Sequence, residues 1–131
     1  MRKINLLIIG EQKCGTHSLK YCLNEHSNIN FMQRECHVFD NMNNIKKYED
    51  YLDNEYLNYT KYYGECTPLY LYNTDSIPNS LNYNKDMKYI VVLRDPVKRA
   101  RSAYEMLKRG NHEKDTFENV IQEQLQTLSI E

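Results

Sequence analysis

Ile4-Asn5-Leu6-Leu7-Ile8-Ile9-Gly10-Glu11-Gln12-Lys13-Cys14-Gly15-Thr16-His17-Ser18-Leu19 carries the reading of the fold: an apolar run halts at glycine, crosses a polar loop and resumes as a helix start. A continuous apolar run of this length reads as a sheet strand, here Ile4–Ile9, with both faces covered. Gly10 and Gly15 let the backbone turn tightly and bring its N–H groups close to a bound oxyanion. Thr16 and Ser18 stand where the next helix begins, so the helix dipole and unpaired N–H groups favour negative charge there. Lys13 adds a mobile ammonium. A loop for ATP or GTP needs Gly-Lys-Ser/Thr; in this chain Thr16 directly follows Gly15 and the lysine lies earlier in the loop. Taken alone, the segment also fits an ordinary strand-to-helix turn with a solvated lysine.

A second segment has the same design. Tyr89-Ile90-Val91-Val92-Leu93 is an apolar strand pattern, and Arg94-Asp95-Pro96 follows it directly. Pro96 suits the first turn of a helix, and Val97, Ala100, Tyr104 and Leu107 then fall on one helical face. Arg94 at the strand end and Ser102 in the helix can converge on one phosphate, because a guanidinium donates two parallel hydrogen bonds. The bland alternative is a surface Arg94–Asp95 ion pair of little energetic weight. Strands alternating with helices argue for an α/β fold with a parallel sheet. In such sheets ligands sit at the carboxyl ends of the strands. Two anion-holding ends imply a ligand with phosphates at both ends, gripped in one shared pocket.

Gln12-Lys13-Cys14-Gly15-Thr16 with Ser18-Leu19, and Leu93-Arg94-Asp95-Pro96 with Arg99 and Ser102, resemble the two cofactor motifs of sulfotransferases, which use 3′-phosphoadenosine 5′-phosphosulfate (PAPS). The resemblance implies that Lys13, Cys14, Gly15, Thr16, His17 and Ser18 surround the 5′-phosphosulfate and that Arg94 and Ser102 bind the 3′-phosphate. Arg34-Glu35-Cys36-His37-Val38-Phe39-Asp40 is similar to the Lys-Glu-x-His-Phe-Phe-Asp stretch of the heparan-sulfate type of glycan sulfotransferase. Carried over by position, Glu35 is the catalytic base, with His37 and Asp40 beside it and Asp40 at the acceptor. Gly64-Glu65-Cys66-Thr67-Pro68-Leu69-Tyr70 resembles a further family segment. There Cys66 stands at an acceptor position where the heparan-modifying enzymes usually have lysine. A thiol supplies no charge, which argues against a heparan-like polyanion. The resemblance implies a P-loop-like sheet of sulfotransferase type. It also implies a family domain roughly twice as long, so the expectation is one truncated domain over 1–131, with adenine binding incomplete and an open sheet edge that a homo-oligomer would cover.

The chemistry calls for such residues in its own right. Moving a sulfuryl group to an alcohol needs a base that takes the hydroxyl proton, a contribution of about 10²–10⁴-fold. It also needs donors aimed at the oxygen on which charge grows as the sulfur–oxygen bond breaks. Glu35 answers the first need; Lys13 and His17 answer the second. No metal is required, and the expected products are PAP and a sulfated glycan or small-molecule acceptor. A truncated module that binds PAPS or PAP with little turnover is the alternative reading.

With 131 residues and a formal net charge of -1, the chain has no basic tract that proposes nucleic acid or another long polyanion. Four cysteines lack paired zinc spacing, which together with the absence of a signal-peptide pattern or a bilayer-long apolar stretch gives a soluble, cytoplasmic expectation. Tyrosines such as Tyr56, Tyr59, Tyr62, Tyr63, Tyr70 and Tyr72 can stack on sugars or pack half-buried. The remaining pattern predicts a helix near Thr16–Asn24, a catalytic loop over Ser27–Met42 and a polar helix over Ile45–Asn54. A strand at Tyr62–Cys66, short helical pieces through Leu81, and helices at Pro96–Arg109 and Phe117–Leu128, the last capped by Thr116, complete it.

Overall fold

The computed structural model describes residues 3–42, 45–46, 49–50 and 60–128. The chain contacts divide into two compact units, residues 1–93 and 94–131. In the first unit, β1 (Leu6–Gly10), β2 (Ile29–Phe31), β3 (Tyr62–Cys66) and β4 (Lys88–Val92) form one sheet in the order β2-β3-β1-β4, with every pairing parallel. Helix α1 (Thr16–Asn24) follows β1, a 3-10 turn (Pro68–Leu71) follows β3, and α2 (Ser76–Tyr83) precedes β4. This is the α/β architecture expected, with β1 central and buried throughout.

Register assigns the two faces. Leu6 aligns with Gly64, and Ile8 with both Cys66 and Ile90. Leu6, Ile8, Cys66, Ile90 and Phe31 pack with Leu19 and Leu23 of α1. Leu7 aligns with Glu65 and Tyr89, and its side of the sheet packs with Val38, Phe39 and Tyr70. A carboxyl group therefore enters an otherwise apolar layer at Glu65. Asn5, the polar residue in the first apolar run, fixes the start of β1 against β3. Its Nδ2 donates to the Lys61 carbonyl at 2.9 Å and its Oδ1 accepts from Tyr63 N–H at 2.8 Å.

Three expectations need adjusting. The first strand runs Leu6–Gly10 rather than Ile4–Ile9, a difference ordinary at strand ends. The stretch read wholly as loop contains β2, a three-residue strand that pairs, among the described residues, with β3. Its order comes from its pairing with β3 and from a 2.6 Å hydrogen bond from Phe31 N–H to Asn24 Oδ1. The fourth strand, Lys88–Val92 rather than Tyr89–Leu93, is not covered on both faces: it lies at the edge of the sheet and Val91 is half exposed. Of the polar helix expected at Ile45–Asn54, Ile45, Lys46, Glu49 and Asp50 are helical; its other residues, with Tyr56 and Tyr59, lie outside the described residues.

The second unit contains α3 (Pro96–Arg109) and α4 (Phe117–Leu128), with the bounds read from sequence. Asp95 caps α3, its Oδ1 accepting from Lys98 N–H at 2.8 Å, with Pro96 in the first turn. Tyr104, buried on α3, meets Phe117 edge-on at 5.3 Å and donates its hydroxyl to the Asp115 carbonyl at 2.8 Å. Thr116 accepts from Asn119 N–H at 3.3 Å, as a cap of α4 does. Among the described residues, no helix is long and apolar enough to cross a membrane.

Candidate active site

The loop from β1 to α1 leaves the carboxyl end of the central strand, beside the end of β4, where Glu11 N–H donates to the Val92 carbonyl at 3.2 Å. Both its glycines are needed, for different reasons. Gly10 lies inside the strand, and a Cβ there would stand 2.6 Å from the Val92 carbonyl oxygen, so β4 leaves no room for one. Gly15 has open space around its missing Cβ but adopts φ 92°, which side chains disfavour. Lys13 is also left-handed, at φ 70°. Two left-handed residues so close together wrap the loop toward the start of α1. That helix begins at Thr16 with no side-chain cap on its first N–H groups, which leaves them oriented for an anion.

The Arg34–Asp40 segment brings Glu35, His37 and Asp40 together with His17 of α1. His17 Nε2 lies 2.8 Å from Glu35 Oε1, so the first turn of α1 and this segment meet at the carboxylate. His37 Nε2 lies 3.8 Å from Glu35 Oε2, and His37 Nδ1 lies 2.6 Å from Asp40 Oδ2. The result is an alternating row: His17, Glu35, His37, Asp40. A carboxylate only accepts, so the close nitrogens of His17 and His37 are the donors. Glu35 and both imidazoles remain partly open to solvent, while the Asp40 side chain is nearly enclosed and its Oδ1 has no hydrogen-bond partner. His37 has φ 52°, a left-handed backbone that costs a non-glycine residue on the order of 1–3 kcal/mol and persists where surrounding contacts over-determine it.

Those contacts come from the Gly64–Tyr70 segment, whose function the sequence did not disclose. Glu65 Oε1 accepts from Cys36 N–H at 3.0 Å and from the Thr67 hydroxyl. The Tyr70 hydroxyl accepts from Val38 N–H at 2.8 Å and Phe39 N–H at 3.2 Å. Burial pushes the Glu65 carboxyl up to about 7, against the opposing pull of the Thr67 hydroxyl and the Cys36 N–H. Its Oε2 is buried without a hydrogen-bond partner. Burial likewise raises the Tyr70 hydroxyl, with the Glu65 charge adding to the effect.

The other predicted residues are placed as follows. Thr16 is buried, Cys14 half-buried, and Ser18 exposed on α1. Cys66, expected at the acceptor, is fully buried at the end of β3, and desolvation pushes its thiol up to about 11. Lys20, also on α1, is an unexpected buried cation whose ammonium donates to the Gln33 carbonyl at 2.9 Å. Arg94 and Ser102 belong to the second unit, Arg94 exposed just before the Asp95 cap and Ser102 half-buried on α3. No group of three or more potential metal ligands occurs among the described residues.

A parallel sheet whose central strand runs into an anion-type loop, with a glutamate–histidine pair beside it, is the α/β arrangement expected of the sulfotransferase type. The sequence pattern of the sulfotransferase domain matches residues 3–131, and the chain belongs to that family. It is 33% identical, over 95% of its length, to the membrane-associated sulfotransferase kil1 of Dictyostelium discoideum, covering 28% of that protein. It is 31% identical, over 83% of its length, to heparan sulfate glucosamine 3-O-sulfotransferase 5 of Mus musculus, covering 32% of it. The structure superimposes with a TM-score of 0.80 on a sulfotransferase from Alicyclobacillus acidocaldarius, at 27% identity and covering 91% of this chain and 56% of that one. The chain thus spans about a third of the length of the curated relatives it matches.

Proposed function

We propose that this sulfotransferase moves a sulfuryl group from PAPS to a hydroxyl of a carbohydrate or glycoconjugate, with Glu35 as general base. The observation that carries the reading is the 2.8 Å approach of His17 to Glu35. It sets the base candidate against the first turn of the helix that an anion-type loop introduces. In the reaction the acceptor oxygen forms a bond to sulfur and gives its proton to Glu35. The bond from sulfur to the bridging oxygen breaks, and its electron pair leaves on the phosphate of PAP. The loop's donors, Lys13 and the N–H groups of Gly15 to Ser18, match the charge growing on that oxygen. His37, held by Asp40 at 2.6 Å, stands 3.8 Å from the second Glu35 oxygen. Arg94 and Ser102 are the proposed partners of the 3′-phosphate, which distinguishes PAPS from ATP.

Two measurements test this. Calorimetric titration with PAP, ATP and ADP should show a preference for PAP that Arg94→Ala abolishes; equal affinities would remove the donor assignment. Transfer of labelled sulfate from PAPS to a panel of sugars should be lost in Glu35→Gln, by about 10²–10⁴-fold, while PAP binding is kept. Full activity of that variant would exclude Glu35 as the base.

A further inference from the structure

We infer that Glu65 and Tyr70 are positioning residues, a buried two-pronged clamp whose oxygens gather the N–H groups of Cys36, Val38 and Phe39 and thereby set the direction of Glu35 and His37. The inference rests on the proposed sulfuryl transfer for its kinetic consequence, though not for its structural one. Three amides within four residues of backbone end on two side chains from a different part of the chain. They flank His37, the one residue of the stretch with a left-handed backbone. Asn79 adds a fourth tie, its Nδ2 donating to the Phe39 carbonyl at 2.8 Å. A loop held this way cannot relax its strained residue without leaving buried amides unpaired, which is itself unfavourable. The imidazole therefore stays between Asp40 and Glu35.

The clamp does not depend on charge. Oε1 of Glu65 can accept from Cys36 N–H whether or not a proton sits on Oε2. The groups acting on this carboxyl are the Thr67 and Tyr70 hydroxyls, the Cys36 amide and, more weakly, His37. The neighbouring Cys66 in turn responds to Glu65, Lys20, Thr16 and Glu35. The clamp needs an acceptor for the amide at position 65 and a phenol oxygen at position 70, and nothing more of either side chain.

Tyr70→Phe keeps the ring and its edge contact with Phe39 at 5.8 Å while removing the acceptor. The variant should fold cooperatively and bind PAP within about two-fold of the parent. Amide exchange at Val38 and Phe39 should rise at least ten-fold, the His37 ring resonances should shift, and kcat for transfer should fall by about 10²-fold, the usual consequence of misplacing a catalytic group by an ångström. Glu65→Leu should act similarly through Cys36, and Glu65→Gln, whose amide oxygen still accepts, should restore most of the loss. Unchanged exchange at Val38 and Phe39 with unchanged His37 resonances in Tyr70→Phe would overturn the clamp. So would kcat per folded molecule equal to the parent's. An inactive parent protein would instead overturn the proposed reaction, leaving the exchange and resonance measurements to decide the clamp.

Discussion

Glu65→Gln makes the cost of the buried carboxyl measurable as a pH dependence of stability. In the folded protein the group titrates near 7, against an ordinary value of 4.5, and desolvation is the main cause. Between those values the unfolded chain has released this proton and the folded chain still holds it, so folding becomes less favourable as pH rises. At 1.36 kcal/mol per unit the loss amounts to about 3 kcal/mol. It begins near pH 4.5 and is complete just above pH 7. Glutamine has no proton to release and escapes it. Urea unfolding of both proteins from pH 4 to 8.5 should therefore show the glutamine variant gaining on the parent by about 3 kcal/mol across this window, with the difference flat outside it. The other ionisable groups are the same in both proteins and cancel in the difference, apart from the weak coupling of His37 to Glu65. Parallel stability curves would refute the claim that burial dominates this carboxyl.

Two further outcomes follow from backbone conformation and thiol burial. Gly15→Ala puts a Cβ on a residue at φ 92°, so it should lower stability by about 1–2 kcal/mol in urea unfolding and weaken PAP binding in calorimetry; an unchanged unfolding midpoint would mean the loop does not hold that conformation. Cys22 is exposed whereas Cys66 is buried and pushed up to about 11, so iodoacetamide at pH 8 should label Cys22 well before Cys66 in the folded protein, as read by peptide mass spectrometry. Equal labelling rates would contradict the buried position of Cys66.

Local signals carried most of the fold. The bounds of α1, β3, α3 and α4 were legible because each starts or stops at a residue with local chemistry: Gly15, the Thr67-Pro68 pair, Pro96 and Thr116. The second strand was not, since three residues with asparagine in the middle have no period to read and are ordered by β3 and Asn24. The edge position of β4 was hidden for a related reason: an apolar run states what can be buried, whereas strand order decides what is. In the candidate site, Glu35, His37 and Asp40 were legible from their resemblance to a known motif. The meeting of His17 with Glu35 and the grip of Glu65 and Tyr70 on the loop were not, because hydrogen bonds that span 18 to 32 residues leave no spacing signature.

A comparison of costs explains how a carboxyl can be accommodated in this layer. An apolar residue at position 65 would escape the desolvation that raises Glu65, worth about 3 kcal/mol at neutral pH by the conversion above. It would also leave the Cys36 amide without its Glu65 acceptor, at about 1–3 kcal/mol. The two quantities are of one size, so leucine offers little or no net gain in stability and gives up the order of the loop. Glutamine keeps the acceptor without the ionisation cost, but places its Nε2 donor where Oε2 lies buried without a partner, at about 1–3 kcal/mol. The difference in transfer rate between Glu65 and Glu65→Gln, followed with pH, measures whether anything beyond the acceptor oxygen matters at this position.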